Sequence, residues 1–255
     1  MTGLLEVEDL SRAFGGLQAV NKVSFSVQKN NIKALIGPNG AGKTTLFNLI
    51  SGMLSPDSGS IMFDGKPVHG LRPYQIASKG LARTFQHIKL FPKMTALENV
   101  MLGRHTHSRA GFISSMLSLP WTWKEEKAIR EKSLEIMGFL GVSELAGAEA
   151  TSLAYGQQRI IELARALACE PALLLLDEPA AGLNMRETAE MAHLITKIRE
   201  MGVTVLIVEH DMSLVMDISD EIIVLSYGEK IADDVPLAIQ KNREVIRTYL
   251  GEEDA

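Results

Sequence analysis

Lys33-Ala-Leu-Ile36 runs without a break into Gly37, Pro38, Asn39, Gly40, Ala41, Gly42, Lys43 and Thr44, and that junction decides the fold. The apolar run reads as a buried strand, and a helical pattern follows from Lys43 to Ser51. Between them stands the spacing G-x(4)-G-K-[ST], placed where its mechanism needs it. The glycines let successive backbone N–H groups turn inward around phosphate oxygens. Lys43 brings a point charge to the β and γ phosphates, and Thr44 offers a hydroxyl to Mg2+. The helix that follows aims its positive end at the same anion. A plain glycine-rich turn is the alternative reading, and the strand and helix flanks weigh against it.

Two further runs share this grammar. Leu173-Leu-Leu-Leu176 runs into Asp177-Glu178-Pro179, and Val203-Thr-Val-Leu-Ile-Val208 runs into Glu209-His210. Continuous apolar runs of this length suit strands buried on both faces, and such strands are typically parallel. Helical patterns follow at Met185 to Met201 and Met212 to Ile218. The alternation predicts an α/β fold with right-handed crossovers. Ligands of such sheets sit beyond the carboxyl ends of the strands, so the three polar clusters are expected at one edge. There Asp177 can hold Mg2+ through its water shell, and Glu178 can accept a proton from an attacking water. A solvated acidic turn stopped by Pro179 is the other reading. His210 can reach the γ phosphate or hold the water, while a lone histidine is more often structural.

The flanking stretches differ. Val7 to Val27 has short alternating pieces around Gly15-Gly16 and predicts antiparallel strands. His87 to Ser152 reads as mostly helical, an insertion into the α/β core, with capping-box spacing at Thr95-Ala-Leu-Glu98 and a charged amphipathic run from Lys124 to Phe139. Ile222 to Leu225, Tyr227-Gly228 and Lys230 to Ala232 suggest a strand and a hairpin, and Arg243 to Leu250 a closing helix. His105 and His107, near Arg104 and Arg109, have no Cys or carboxylate partner in the neighbouring sequence, so they read as a solvated basic turn and not as a zinc site. Trp121 and Trp123 read as packing residues or a partner surface.

Composition bounds the rest. In 255 residues, 31 acids against 26 bases leave a formal charge of −5, which argues against a broad nucleic-acid footprint. The longest apolar stretch, Ala172 to Leu176, is far short of the ~20 residues of a spanning helix. The start, MTGLLEVEDL, has no basic leader, so neither bilayer insertion nor export by the usual route is expected. Cys169 stands alone, which fits a reducing compartment.

The phosphate loop, Thr84-Phe85-Gln86, Leu153-Ala-Tyr-Gly-Gln157, Leu176-Asp-Glu-Pro179 and His210, in this order, resemble an ABC transporter ATPase subunit. Phe14-Gly-Gly-Leu17, Arg83-Thr-Phe-Gln-His87, Ala180-Ala-Gly-Leu-Asn184 and Tyr249-Leu-Gly251 are similar to the branched-chain amino-acid importer ATPases. The resemblance implies a P-loop NTPase with a RecA-like parallel-sheet core, an N-terminal antiparallel β subdomain and an inserted helical subdomain. It places the core and β subdomain at 1–86 and 153–235, the helical subdomain at 87–152 and a helical tail at 236–255. ATP and Mg2+ are the implied ligands, and Mg2+-dependent ATP hydrolysis coupled to transport the implied activity. Phe14 would stack on adenine and Thr45 would help hold the α phosphate. Gln86 would touch Mg2+ or its water and report nucleotide state. Leu153, Ala154, Tyr155, Gly156 and Gln157 would close over nucleotide bound by a second copy.

One phosphate loop and one such signature occur in the chain, so two complete sites need two ATPase subunits, the same or related, facing head to tail. The implied setting is peripheral, on the cytoplasmic face of a membrane, docked on transmembrane permease subunits and without nucleic acid. Urea import, lipid export, a soluble ABC-type assembly or scaffold ATPase, and a DNA-maintenance ATPase share the motor motifs. Three positions depart from the family pattern. Ala154 lacks the usual serine hydroxyl, Tyr155 replaces a glycine, and Asn184 stands where Asp is common.

Overall fold

The computed structural model describes residues 3–104 and 120–250, so His105, His107 and Arg109 lie outside the described residues. The strands run in chain order as β1 (Leu5–Phe14), β2 (Leu17–Val27), β3 (Ile32–Ile36), β4 (Ser58–Phe63), β5 (Lys66–Pro67) and β6 (Leu81–Arg83). After the helical stretch come β7 (Leu173–Asp177), β8 (Thr204–Val208), β9 (Glu221–Ser226) and β10 (Glu229–Asp234). Packing divides the chain into one unit of residues up to Arg83 with those from Ala172 on, and another spanning Thr84–Pro171.

The first unit holds two sheets. An antiparallel one has the order β2-β1-β4-β5, and a mixed one the order β10-β9-β3-β8-β7-β6. In the second sheet β9, β3, β8, β7 and β6 are parallel neighbours, and β10 returns antiparallel at the edge. Every residue of β3, β7 and β8 is buried, as their unbroken apolar runs require. Full burial of a leucine contributes about 1.5–3 kcal/mol, so four in a row at Leu173 to Leu176 hold β7 firmly in the interior. Lys33 is the exception in composition. Its ammonium lies 2.7 Å from Asp233 and 2.9 Å from Glu221, and donates to the Ser26 carbonyl at 2.9 Å. A buried cation is tolerated on those terms.

The helices of this unit start and stop close to where the sequence places them. Lys43–Ile50 buries Leu46, Phe47, Leu49 and Ile50. Met185–Glu200 buries Met191, Ala192, Leu194, Ile195 and Ile198. Its cap is Asn184, whose Oδ1 accepts the N–H groups of Arg186 at 3.0 Å and Glu187 at 3.1 Å, while Glu187 Oε2 accepts the Asn184 N–H at 2.9 Å. Asn caps a helix as well as Asp does, which accounts physically for the departure at this position. Asn184→Ala is expected to destabilise the fold by about 1 kcal/mol, read as a lower urea midpoint at unchanged slope.

The second unit carries the helices Ala96–Gly103, Pro120–Phe139 and Tyr155–Leu167, with short 3₁₀ turns at Ser143–Leu145 and Ala150–Ser152. The capping box at Thr95 forms: Thr95 Oγ1 accepts the Glu98 N–H at 3.2 Å, and Glu98 Oε2 accepts the Thr95 N–H at 2.8 Å. The stretch before it is not helical. Fully buried Asn99 pins that stretch, accepting the Phe91 N–H at 2.7 Å and donating to the Phe91 carbonyl at 3.2 Å. The helix Tyr155–Leu167 packs on Ala96–Gly103 and on Pro120–Phe139, so it groups with the residues of 87–152 that precede it. The pattern after Gly156 reads as a helix from Gln157 to Leu167, and the observed helix begins two residues earlier, at Tyr155.

Candidate functional site

In the parallel sheet, Leu35 of β3 lies opposite Val208 of β8, and Val208 lies opposite Asp177 of β7. The loops that leave these strands therefore emerge side by side at one carboxyl edge, as the sequence grammar requires. The first is the phosphate loop. Gly37 (φ 151°) and Gly42 (φ 101°) adopt backbone conformations open to glycine. Each is also fixed by space: a Cβ would stand 2.2 Å from the Leu225 carbonyl oxygen at Gly37 and 2.3 Å from that of Ala19 at Gly42. Gly42 leads directly into the helix, whose first amides have no intrahelical acceptor and face the loop. Lys43 Nζ donates to the carbonyls of Gly37 at 2.7 Å and Pro38 at 3.0 Å. Burial lowers its pKa, and the negative charges of Glu178 and Asp177 oppose that shift. Lys43 thus feels both carboxylates at the end of β7.

Asp177 is buried and paired with Arg83, Nη2 to Oδ2 at 2.9 Å. The same guanidinium donates to Asn48 Oδ1 at 2.8 Å and Ser51 Oγ at 2.7 Å, tying the strand end to the helix after the phosphate loop. Glu178 follows with a left-handed backbone, φ 50°, and its N–H donates to the Val208 carbonyl at 2.9 Å. Its Oε2 lies 3.9 Å from His210 Nδ1, an electrostatic contact too long for a hydrogen bond. The His210 side chain is 65% exposed and that of Glu178 21%, so both face outward at the rim. Glu209, between β8 and His210, is buried. Burial pushes its carboxyl above the ordinary carboxylate pKa, opposed by N–H groups of Ala180, His210 and Asp211.

Phe14 ends β1, half-exposed, with the Arg12 guanidinium 5.2 Å from its ring centre. At the other end of the chain, Tyr249 stands on the helix Arg243–Leu250. Burial raises the phenol's pKa, and the backbone of Gly37 opposes the shift.

The remaining sequence candidates, Gln86 and Leu153 to Gln157, belong to the second unit. Two of them meet there. Arg159, on the helix Tyr155–Leu167, donates to the carbonyls of Gln86 at 2.8 Å and Phe85 at 3.2 Å, and to the Tyr155 hydroxyl at 3.0 Å. Tyr155 is helical, so no glycine-like freedom is called for at this position. Ala154 is the N-cap residue and has no side-chain oxygen, while Gln157 Oε1 accepts its N–H at 3.0 Å. The amides of the first turn are left to a ligand or solvent.

A family model described as ABC transporter matches residues 20–181. The chain belongs to the ABC transporter family. This cassette is 45% identical, over 98% of both chains, to the high-affinity branched-chain amino acid transport ATP-binding protein BraF of Pseudomonas aeruginosa. It is 43% identical, again over 98% of both, to the protein LivG of Escherichia coli, which carries the same description. Among solved structures, the ADP conformation of an ATP-binding cassette of an ABC transporter superposes with a TM-score of 0.86 at 32% identity, covering 99% of this chain and 100% of that one. The fold is the ABC ATPase fold.

The donor set of the ABC cassette fits Mg2+. Thr44 and Asp177 offer hard oxygens, the latter from a single carboxylate. Mg2+ binds in that manner, through one or two carboxylates with waters and substrate phosphates completing its shell. The sequence motifs include Arg83, Glu209 and Tyr249 but give no site role to them or to Arg159. Arg83 and Glu209 each sit beside a residue singled out for chemistry, and a charged residue closing an apolar run is the signal that marks them.

Proposed function

We propose that this cassette is the ATP-hydrolysing subunit of an importer for branched-chain amino acids, peripheral to the cytoplasmic face of a membrane and docked on permease subunits. The relatives' descriptions support the cargo, over nearly the full length of each chain. No helix among the described residues is long and apolar enough to cross a membrane, which agrees with a docked role. The observation that carries the motor reading is the rim itself. There Lys43 feels Asp177 and Glu178, and His210 lies 3.9 Å from Glu178.

The chemistry follows from these positions. The loop amides from Gly37 to Thr45 and the Lys43 ammonium bind the triphosphate of ATP, and Phe14 packs on its base. Bound with ATP, Mg2+ would be held by Thr44 and Asp177 and would supply a Lewis acid for phosphoryl transfer. Arg83 holds Asp177 in place. Glu178 accepts the proton of the water that attacks the γ phosphorus in line, and His210 positions that water against the phosphate. The signature segment, Leu153 to Gln157, closes on the nucleotide of a second ATPase subunit through its first-turn amides. Nucleotide bridging two subunits holds the dimer closed, and hydrolysis removes the bridge.

Disruption of the gene is expected to abolish uptake of labelled leucine, isoleucine and valine, and the intact chain to restore it where Glu178→Gln does not. Unchanged amino-acid uptake alongside lost urea uptake would instead assign the motor to a urea importer.

A further inference from the structure

We infer that Glu209 is the positioning residue that sets the spacing of Glu178 and His210. The inference rests on the hydrolytic reading above and extends it to a residue that touches no substrate. Glu209 follows the last residue of β8 and is 1% exposed. Its Oε1 accepts the Ala180 N–H at 2.8 Å, in the loop that follows β7. Its Oε2 accepts the His210 N–H at 3.1 Å, and the N–H of Asp211 also favours the carboxylate's charge. Asp211 in turn caps the helix Met212–Ile218, accepting from Ser213 at 2.9 Å and Leu214 at 3.2 Å. One buried carboxylate therefore fastens the turn that carries Glu178 and the backbone that carries His210.

This fastening matters because the two side chains do not hold each other. At 3.9 Å their separation is set by backbone and not by a shared proton. Glu178 is bracketed by two ties to the β8 end: its own N–H to the Val208 carbonyl at 2.9 Å, and Ala180 to Glu209. Between them the chain turns through the left-handed conformation of Glu178 and the ring of Pro179. A left-handed non-glycine residue persists only where its surroundings over-determine it, and Glu209 supplies one of the two fixings. His210 Nδ1 is also 3.9 Å from Glu209 Oε2, so the imidazole stands equally far from both carboxylates.

The conservative variant separates positioning from bulk. Glu209→Gln keeps shape and one acceptor, but its NH2 group must then face an N–H donor, either that of Ala180 or those of His210 and Asp211. In the full-length chain, Glu209→Gln is expected to keep its ATP affinity by calorimetry within twofold and its melting temperature within a few degrees. Its kcat for phosphate release should fall about tenfold to a hundredfold, the scale of a displaced catalytic group. Wild-type kcat in the folded variant overturns the inference, and so does a parallel loss of ATP affinity and kcat. If Glu209→Gln does not fold, Glu209→Asp serves: its shorter carboxylate cannot span both donors, and it is expected to show the same split. Wild-type turnover in Glu209→Asp is again contrary. Glu178→Gln runs alongside as a control. Undiminished hydrolysis there removes the hydrolytic reading itself, whereas a dead Glu178→Gln with a fully active Glu209→Gln removes the positioning role alone.

Discussion

Glu178→Gln is expected to bind ATP as the parent does, to accumulate as an ATP-closed dimer, and to lose hydrolysis by about a hundredfold to ten-thousandfold. The variant keeps side-chain length and the hydrogen-bonded backbone that joins residue 178 to Val208. An amide cannot take up the proton of the attacking water, so the loss is confined to the chemical step. Removing a general base costs about 3–5 kcal/mol of barrier lowering, large enough to outweigh any change in subunit association. Phosphate release measures the first effect, calorimetry the second, and light scattering with ATP the dimer. Turnover at the parental rate would take Glu178 out of the mechanism.

Lys43→Ala is expected to lose nucleotide affinity by about a hundredfold or more, the scale for truncating a partly buried charged group that pairs with a phosphate. Two opposing forces act on this ammonium. Burial disfavours its charge, and Asp177 with Glu178 favours it. Without the cation, the charges of Asp177 and Glu178 are less opposed near the triphosphate, so repulsion adds to the lost contact. The carbonyls of Gly37 and Pro38 lose their donor as well, which slackens the loop. Titration calorimetry with ATP and Mg2+ checks this, and parental affinity in the variant would contradict the assignment of the loop.

What the sequence discloses here is local, and what it conceals is long-range. Runs such as Leu173 to Leu176 announce a strand buried on both faces, and the residues after each run announce the chemistry of its edge. The order of the strands is not disclosed. Ile222 to Leu225 reads as part of a hairpin, yet β9 is also the parallel neighbour of β3, and only packing across the sheet decides that. β6 is three residues long and leaves no periodicity to read. The partners that steady the site are equally distant along the chain, with Arg83 and Asp177 separated by 94 positions. Ala154 supplies no capping oxygen to mark the start of the helix Tyr155–Leu167, and Gln157, whose Oε1 reaches back to the Ala154 N–H, reads from the sequence as its first residue. Tyr155 departs from glycine without strain because the helix begins one residue earlier than Gly156 suggests.

The helix Arg243–Leu250, which carries Tyr249, packs on β10, the edge strand of the sheet whose β3 runs into the phosphate loop. A pull on that helix is therefore shared with the edge of the sheet, two strands away from β3.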